Sequence, residues 1–148
     1  MAFLSQEEAI MLINMLKKSV IETISFPAKG KKEIFNVIGD CKDDLFEISI
    51  HRGSKRADKC SYQGRHPGFK ANLMRLDVDE NSRHINPDGE EIKGTHLHLY
   101  RDSITKEKFA IPFDINNKDL LNLCLTFFEQ FNIVKKPVIK QQLTIDEV

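Results

Sequence analysis

The chain has 148 residues, 41% of them hydrophobic and 30% charged, with a formal net charge of zero. That length and balance suit one globular domain with its own core, and exclude a disordered or collagen-like chain. No apolar run approaches the ~20 residues of a membrane helix, Met1 to Glu8 lack the pattern of a secretory signal, and Cys41, Cys60 and Cys124 form no CxxC pair. A cytoplasmic protein with no membrane association is expected, its cysteines reading as buried thiols.

The first predicted element is an amphipathic helix from Gln6 to Lys18. Ser5 and Glu8 make a capping box ahead of Ala9, Leu12, Ile13, Leu16 and Val20 at helical spacing. Ile21 to Phe26 is β-prone and stops at Pro27. Ile34–Ile38 and Leu45–Arg52 read as strands joined through a turn at Gly39. In the second, Phe46, Ile48 and Ile50 alternate with Glu47, Ser49 and His51, as in a sheet covered on one face. Lys59–Arg65 and Ala71–Val78 follow as strands, the latter with Asn72, Met74, Leu76 and Val78 on one face and Leu73, Arg75 and Asp77 on the other. Asn86-Pro87-Asp88-Gly89 is a turn in a polar loop, with His84 an exposed bystander before it. Thr95–Arg101 and Lys106–Pro112 form a hairpin.

From Asn117 to Phe131 the apolar period becomes helical, with Asn116 or Asn117 as cap and Asp119 in the first turn. Leu120, Cys124, Phe127, Phe128 and Phe131 stack on one side, and Leu121, Leu123 and Leu125 spread around it. Such a helix is buried on most of its circumference or joins a homo-oligomer. The expected fold class is α+β: a mostly antiparallel, curved sheet of five to seven strands, with an N-terminal and a C-terminal helix on one face. Residues 1–134 form a single domain. Residues 135–148 are a polar tail, in which Val138-Ile139 can add an edge strand.

Charge is unevenly spread. From His51 to Arg75 there are seven Lys or Arg and one acid; from Asp77 to Glu91 there are six acids and one base. The argument for nucleic acid is therefore local rather than global. Gly94-Thr95-His96-Leu97-His98-Leu99-Tyr100 carries the densest functional signal. Alternation sets His96, His98 and Tyr100 on one face, with Leu97 and Leu99 facing the core. In a compatible register they join Glu47, His51, Gln63, Arg65, Arg75 and Asp77 in one patch. Register cannot be read from sequence, and a one-residue slip inverts a strand.

Three chemistries suit that patch. In metal-independent RNA cleavage, His96 and His98 act as acid and base and Tyr100 orients the substrate. Arg65 and Arg75 then fork onto phosphate oxygens, with His51, Arg52, Lys59 and Gln63 as further substrate contacts. In metal binding, the HxH strand offers two imidazoles, completed by His51, Asp77 or Asp102. In the third, the patch or the turn from His84 to Gly94 grips another protein without catalysis. Cys60, near Lys59 and Arg65, is a weaker nucleophile candidate. No GxGxxG, P-loop, GxSxG or HExxH motif is present.

The segments Lys59-Cys60-Ser61-Tyr62-Gln63-Gly64-Arg65, His84-Ile85-Asn86-Pro87-Asp88-Gly89, Gly94 to Tyr100 and Ala110-Ile111-Pro112-Phe113 resemble a family of short bacterial proteins of prophages and mobile elements, functionally uncharacterised. The resemblance spans residues 20 to 131 and implies no catalytic residues. The mobile-element setting it implies suits both a toxin of toxin–antitoxin type and an inhibitor of host defences. The leading expectation is an RNA-acting protein, a metal-free endoribonuclease without cofactor whose protein partner is an antitoxin. The alternative is a non-enzymatic, anti-CRISPR-like protein that binds a defence protein.

Overall fold

The computed structural model describes residues 4–40, 44–56, 58–69, 71–114 and 119–141. Cys41, Lys70, the Asn116 or Asn117 cap and residues 142–148 lie outside them. The Ser5–Glu8 capping box forms and starts α1 (Gln6–Asn14), whose Ala9 and Leu12 are buried. The helix ends a turn before the expected Lys18. Lys17 joins a strand instead, donating its backbone N–H to the Asn132 carbonyl, and Leu16 and Val20 are left exposed. Tertiary pairing here overrides the apolar period.

The strands are β1 (Lys17–Ser19), β2 (Thr23–Phe26), β3 (Lys32–Ile38), β4 (Leu45–Arg52), β5 (Cys60–Arg65), β6 (Asn72–Val78), β7 (Arg83–Ile85), β8 (Glu91–Lys93), β9 (His96–Leu99) and β10 (Ala110–Pro112). After them come α2 (Leu120–Gln130), β11 (Ile133–Lys135) and β12 (Val138–Gln141). One eight-stranded sheet runs β10-β9-β6-β5-β4-β3-β1-β11, one strand wider than the upper expectation. It is antiparallel except where β1 meets β11. β12 lies parallel to β2, so the expected tail is part of the fold at least to Gln141.

The apolar face carries the core. Phe46, Ile48 and Ile50 of β4, Tyr62 of β5 and Leu76 of β6 stand there with almost no exposure. Asp119 caps α2 by accepting from the Leu121 N–H. The helix then lays Phe127 on Tyr62, Phe128 edge-on to Phe35 and Phe131 edge-on to Phe46. Each such ring contributes about 2–3 kcal/mol of transfer free energy. Leu123, Cys124, Phe127 and Phe128 of α2 are buried within the chain, while Leu125 is 38% exposed. Gly64 admits this packing: a Cβ there would lie 2.8 Å from the Phe131 ring. Asn132, in the left-handed region at φ 59°, turns the chain out of α2 into β11.

Candidate functional site

On the other face, the register brings the sequence-selected residues into rows. His51 of β4 pairs with Ser61 of β5, Ser61 with Asp77 of β6, and Asp77 with His96 of β9. One row along, Ser49, Gln63, Arg75 and His98 line up in the same way. Glu47 and Arg65 follow, joined by an ion pair of 3.0 Å. Adjacent strands lie about 4.8 Å apart, so each row is a ladder of neighbouring side chains.

The patch is not the open surface that alternation predicts. His96 is 5% exposed and His98 1%. The β7–β8 hairpin lies over them, and its Asn86-Pro87-Asp88-Gly89 turn positions Asn86 for a structural task. The buried Asn86 amide donates to the Ala110 carbonyl and accepts from the Ala110 N–H, at 2.9 and 2.8 Å, binding the hairpin to β10. His84 of β7 is thereby set against both other histidines, its ring centroid 5.4 Å from that of His96 and 4.8 Å from that of His98. His84 is half-buried, not exposed as expected. Asn86→Ala leaves both backbone groups of Ala110 without their partner. A stability loss of about 2–4 kcal/mol is expected, with amide exchange in the hairpin rising more than in β4 and β5. Uniform protection in the variant would contradict this role for Asn86.

Hydrogen bonds decide the ring tautomers. His96 Nδ1 donates to the Gly94 carbonyl at 2.8 Å, His98 Nδ1 to the Glu107 carbonyl at 2.7 Å, and His84 Nε2 to the Lys108 carbonyl at 2.8 Å. His98 Nε2 accepts from Arg75 Nη2 at 3.0 Å, while Arg75 Nε donates to Asp77 Oδ2 at 3.1 Å. Asp77 Oδ2 lies 3.4 Å from Nε2 of both His96 and His98, and Oδ1 accepts from the Ser61 hydroxyl at 2.9 Å. Burial works against the Asp77 charge, yet the contact with His96, the Arg75 guanidinium and the Ser61 hydroxyl outweigh it and hold the carboxyl well below the usual range. Burial likewise opposes the charge on His96, but the Asp77 carboxylate and the Gly94 carbonyl raise its pKa above the ordinary value.

Beside this cluster, a cleft of about 690 Å³ runs between the β4–β5 turn and the end of β6 beside His96. Ser61, Asp77 and His96 line it together with His51, Arg52, Lys55, Arg56, Lys59 and Asp79. Arg52 donates to the Pro27 carbonyl and lies over the Phe26 ring. Arg56 and Lys59 both pair with Asp79. Arg75, His84, His98 and Glu107 line a second cavity of about 440 Å³. Arg65 and Gln63 line a third cavity of about 310 Å³, which shares His51 with the first.

Two site expectations fail. Tyr100 leaves the histidine face: its hydroxyl donates to the Leu4 carbonyl at 2.9 Å, inside the core. The register of β5 and β6 shifts at Gly64/Arg65, and at this irregularity Leu73 and Met74 both become buried. Tyr100 bonds through its N–H to the Leu73 carbonyl there, just past the last residue of β9, where alternation no longer holds. Cys60 is buried, and desolvation pushes its thiol up to about 11, so it is no thiolate nucleophile.

A family described as a family of unknown function (DUF6978) matches residues 4–133. The chain belongs to DUF6978. The match covers every strand of the histidine face and both helices, so the cluster lies wholly within the DUF6978 region. No curated protein and no solved structure matches the chain. Among the described residues, no helix of this DUF6978 member is long and apolar enough to cross a membrane.

Proposed function

We propose that this chain binds RNA, holding the phosphate backbone in the cleft between the β4–β5 turn and the histidine cluster. The observation that carries the reading is the lining: Arg52, Lys55, Arg56 and Lys59 surround one concavity, against two carboxylates, Asp77 and Asp79. Cations converging on a cleft favour a polyanion. The Ser61 and Ser82 hydroxyls donate to Asp77 and Gly94, and their oxygens keep acceptor capacity for a ribose 2′-hydroxyl. Acid–base cleavage by His96 and His98 is not part of the proposal. Their Nδ1 protons are directed at backbone carbonyls, and the Tyr100 hydroxyl is committed to Leu4.

Fluorescence anisotropy with a single-stranded RNA, at several salt concentrations and beside the same sequence as DNA, tests the reading. The double variant Lys55→Glu/Lys59→Glu is expected to weaken RNA binding at least tenfold. It also flattens the log–log salt slope by about 1–2, as the loss of two phosphate contacts requires. Equal affinity of wild type and variant removes the cleft as the binding site. Absence of RNA binding, with one stable protein partner retained on the same face, replaces this reading with the non-enzymatic inhibitor.

A further inference from the structure

We propose that His84, His96 and His98, with Asp77, form a binding site for a zinc-class divalent cation. One ring nitrogen from each histidine lies within 4.8 Å of the others. The hydrogen bonds leave Nδ1 of His84 and Nε2 of His96 and His98 as the ligand atoms. The opposite ring nitrogen of every histidine already donates to a backbone carbonyl, of Lys108, Gly94 and Glu107 in turn. That outer bond is what fixes the tautomer and ring orientation of metal-ligating histidines. A lone surface histidine has no need of it, and here it occurs three times in one cluster.

The spacing suits the ion. Metal–ligand bonds of about 2.0–2.1 Å in a tetrahedron place ligand atoms about 3.4 Å apart. Asp77 Oδ2 lies 3.4 Å from Nε2 of both His96 and His98. These two edges of the tetrahedron already have their length, and a small closing movement of the hairpin brings His84 to the fourth corner. Nitrogen ligands with one carboxylate favour zinc and its neighbours over magnesium or calcium. On metal uptake the Nε2 proton of His96 leaves to solvent, as metal binding by imidazole requires.

Arg75 competes for this place. Its guanidinium touches both His98 Nε2 and Asp77 Oδ2 and supplies the positive charge between them. Its side chain is 29% exposed, so it has room to withdraw. A partner is at hand. Glu107 Oε2 is buried without a hydrogen-bond partner, and Glu107 lines the same cavity as Arg75, His84 and His98. A buried polar atom without a partner calls for an explanation, and the Arg75 guanidinium, displaced by a metal, would supply that partner. The inference stands apart from the RNA reading, because metal uptake is measured without RNA.

The test is a cobalt(II) titration of the chelator-stripped full chain, followed by visible absorption, with zinc then added in competition. One saturable equivalent with the intense bands of a tetrahedral ion, removed by zinc, is the expected result. His84→Ala should weaken cobalt binding at least tenfold, because it removes a ligand, and loss of an outer contact alone costs about 10–100-fold. Arg75→Met should tighten it about tenfold or more, because a competing charge is gone. Absence of a saturating tetrahedral spectrum in the wild type overturns the proposal, as does equal affinity in a folded His84→Ala. If circular dichroism shows His84→Ala to be unfolded, Arg75→Met decides. Tighter binding supports the site, and unchanged or weaker binding overturns it.

Discussion

Lys17→Met is expected to lower stability by about 2–4 kcal/mol, which for a chain of this length moves the thermal midpoint down by about 6–13 °C. Lys17 is fully buried. Its ammonium donates to the carbonyls of Ile13, Met15 and Phe131, each at 2.9 Å, and lies 4.0 Å from the centroid of Phe131 and 4.8 Å from that of Phe46. These contacts tie the end of α1 to the end of α2 and the start of β11. Desolvation of the ammonium costs several kcal/mol, and the three charge-assisted bonds with two ring faces offset part of it. Replacing the lysine removes the donors as well as that cost. Methionine fills the volume and leaves the Met15 and Phe131 carbonyls facing an apolar side chain, while Ile13 keeps only the Asn132 amide. A variant melting within about 2 °C of wild type would show that these carbonyls find other partners.

The same lysine gives a pH dependence. Burial pushes its ammonium down to about 7, against about 10.4 in an unfolded chain. Between these values the unfolded chain binds the proton more fully than the folded one. Stability from this group therefore rises with pH across that window and is flat below it. Chemical denaturation of wild type and Lys17→Met at pH 7 and pH 9.5 should show the gap between them widening at the higher pH. A narrowing gap would mean that the three carbonyls hold the charged form more strongly than burial opposes it.

Most of the fold's organisation is legible in the sequence where one physical cause acts alone. The bounds of β4 follow from strict alternation over Leu45–Arg52, and the start of α1 from a capping box that satisfies its own N–H groups. The polar sides of β4, β5, β6 and β9 follow from the same alternation, and their registers align as a patch needs. Legibility ends where distant chain segments compete. Leu16 and Val20 continue a helical period, yet β11 draws Lys17 into a strand, and nothing near Lys17 encodes a partner more than a hundred residues away. The register shift opposite Leu73 is equally silent in composition.

The site shows the same division. His96, His98, Arg75 and Asp77 can be chosen from their strands. The residues that convert them from a surface into an enclosed cluster are His84 and Asn86, in a segment that reads as loop, and Glu107, which the sequence places in a Lys106–Pro112 strand that starts only at Ala110. A signal for the hairpin does exist. Arg83-His84-Ile85 and Glu91-Ile92-Lys93 flank a turn with Gly89 at φ 91°, where glycine is favoured. That pattern points to a hairpin. It does not say that the hairpin folds back over β9, because the two bonds from Asn86 to Ala110 are set by tertiary geometry.

Asp77→Ala, measured with chelator present so that metal loss plays no part, is expected to cost about 2–4 kcal/mol. Among the described residues, Asp77 is the carboxylate in contact with His96, His98, Arg75 and the Ser61 hydroxyl together. Its removal leaves the Arg75 guanidinium and the His96 imidazole close together with no anion between them, and the Ser61 hydroxyl without its acceptor. The side chain is 25% exposed, so water relieves part of the loss and keeps the effect below that of a fully buried pair. Asp77→Asn separates charge from shape. It keeps an acceptor for Ser61 but gives Arg75 no anion, so it should retain less than half of the lost stability. Arg75→Met combined with Asp77→Ala should recover more than the sum of the single changes predicts, because the uncompensated guanidinium is gone. Additive single and double changes would show that the carboxylate is not the counter-charge of Arg75, and the cluster's electrostatics would have to be drawn without it.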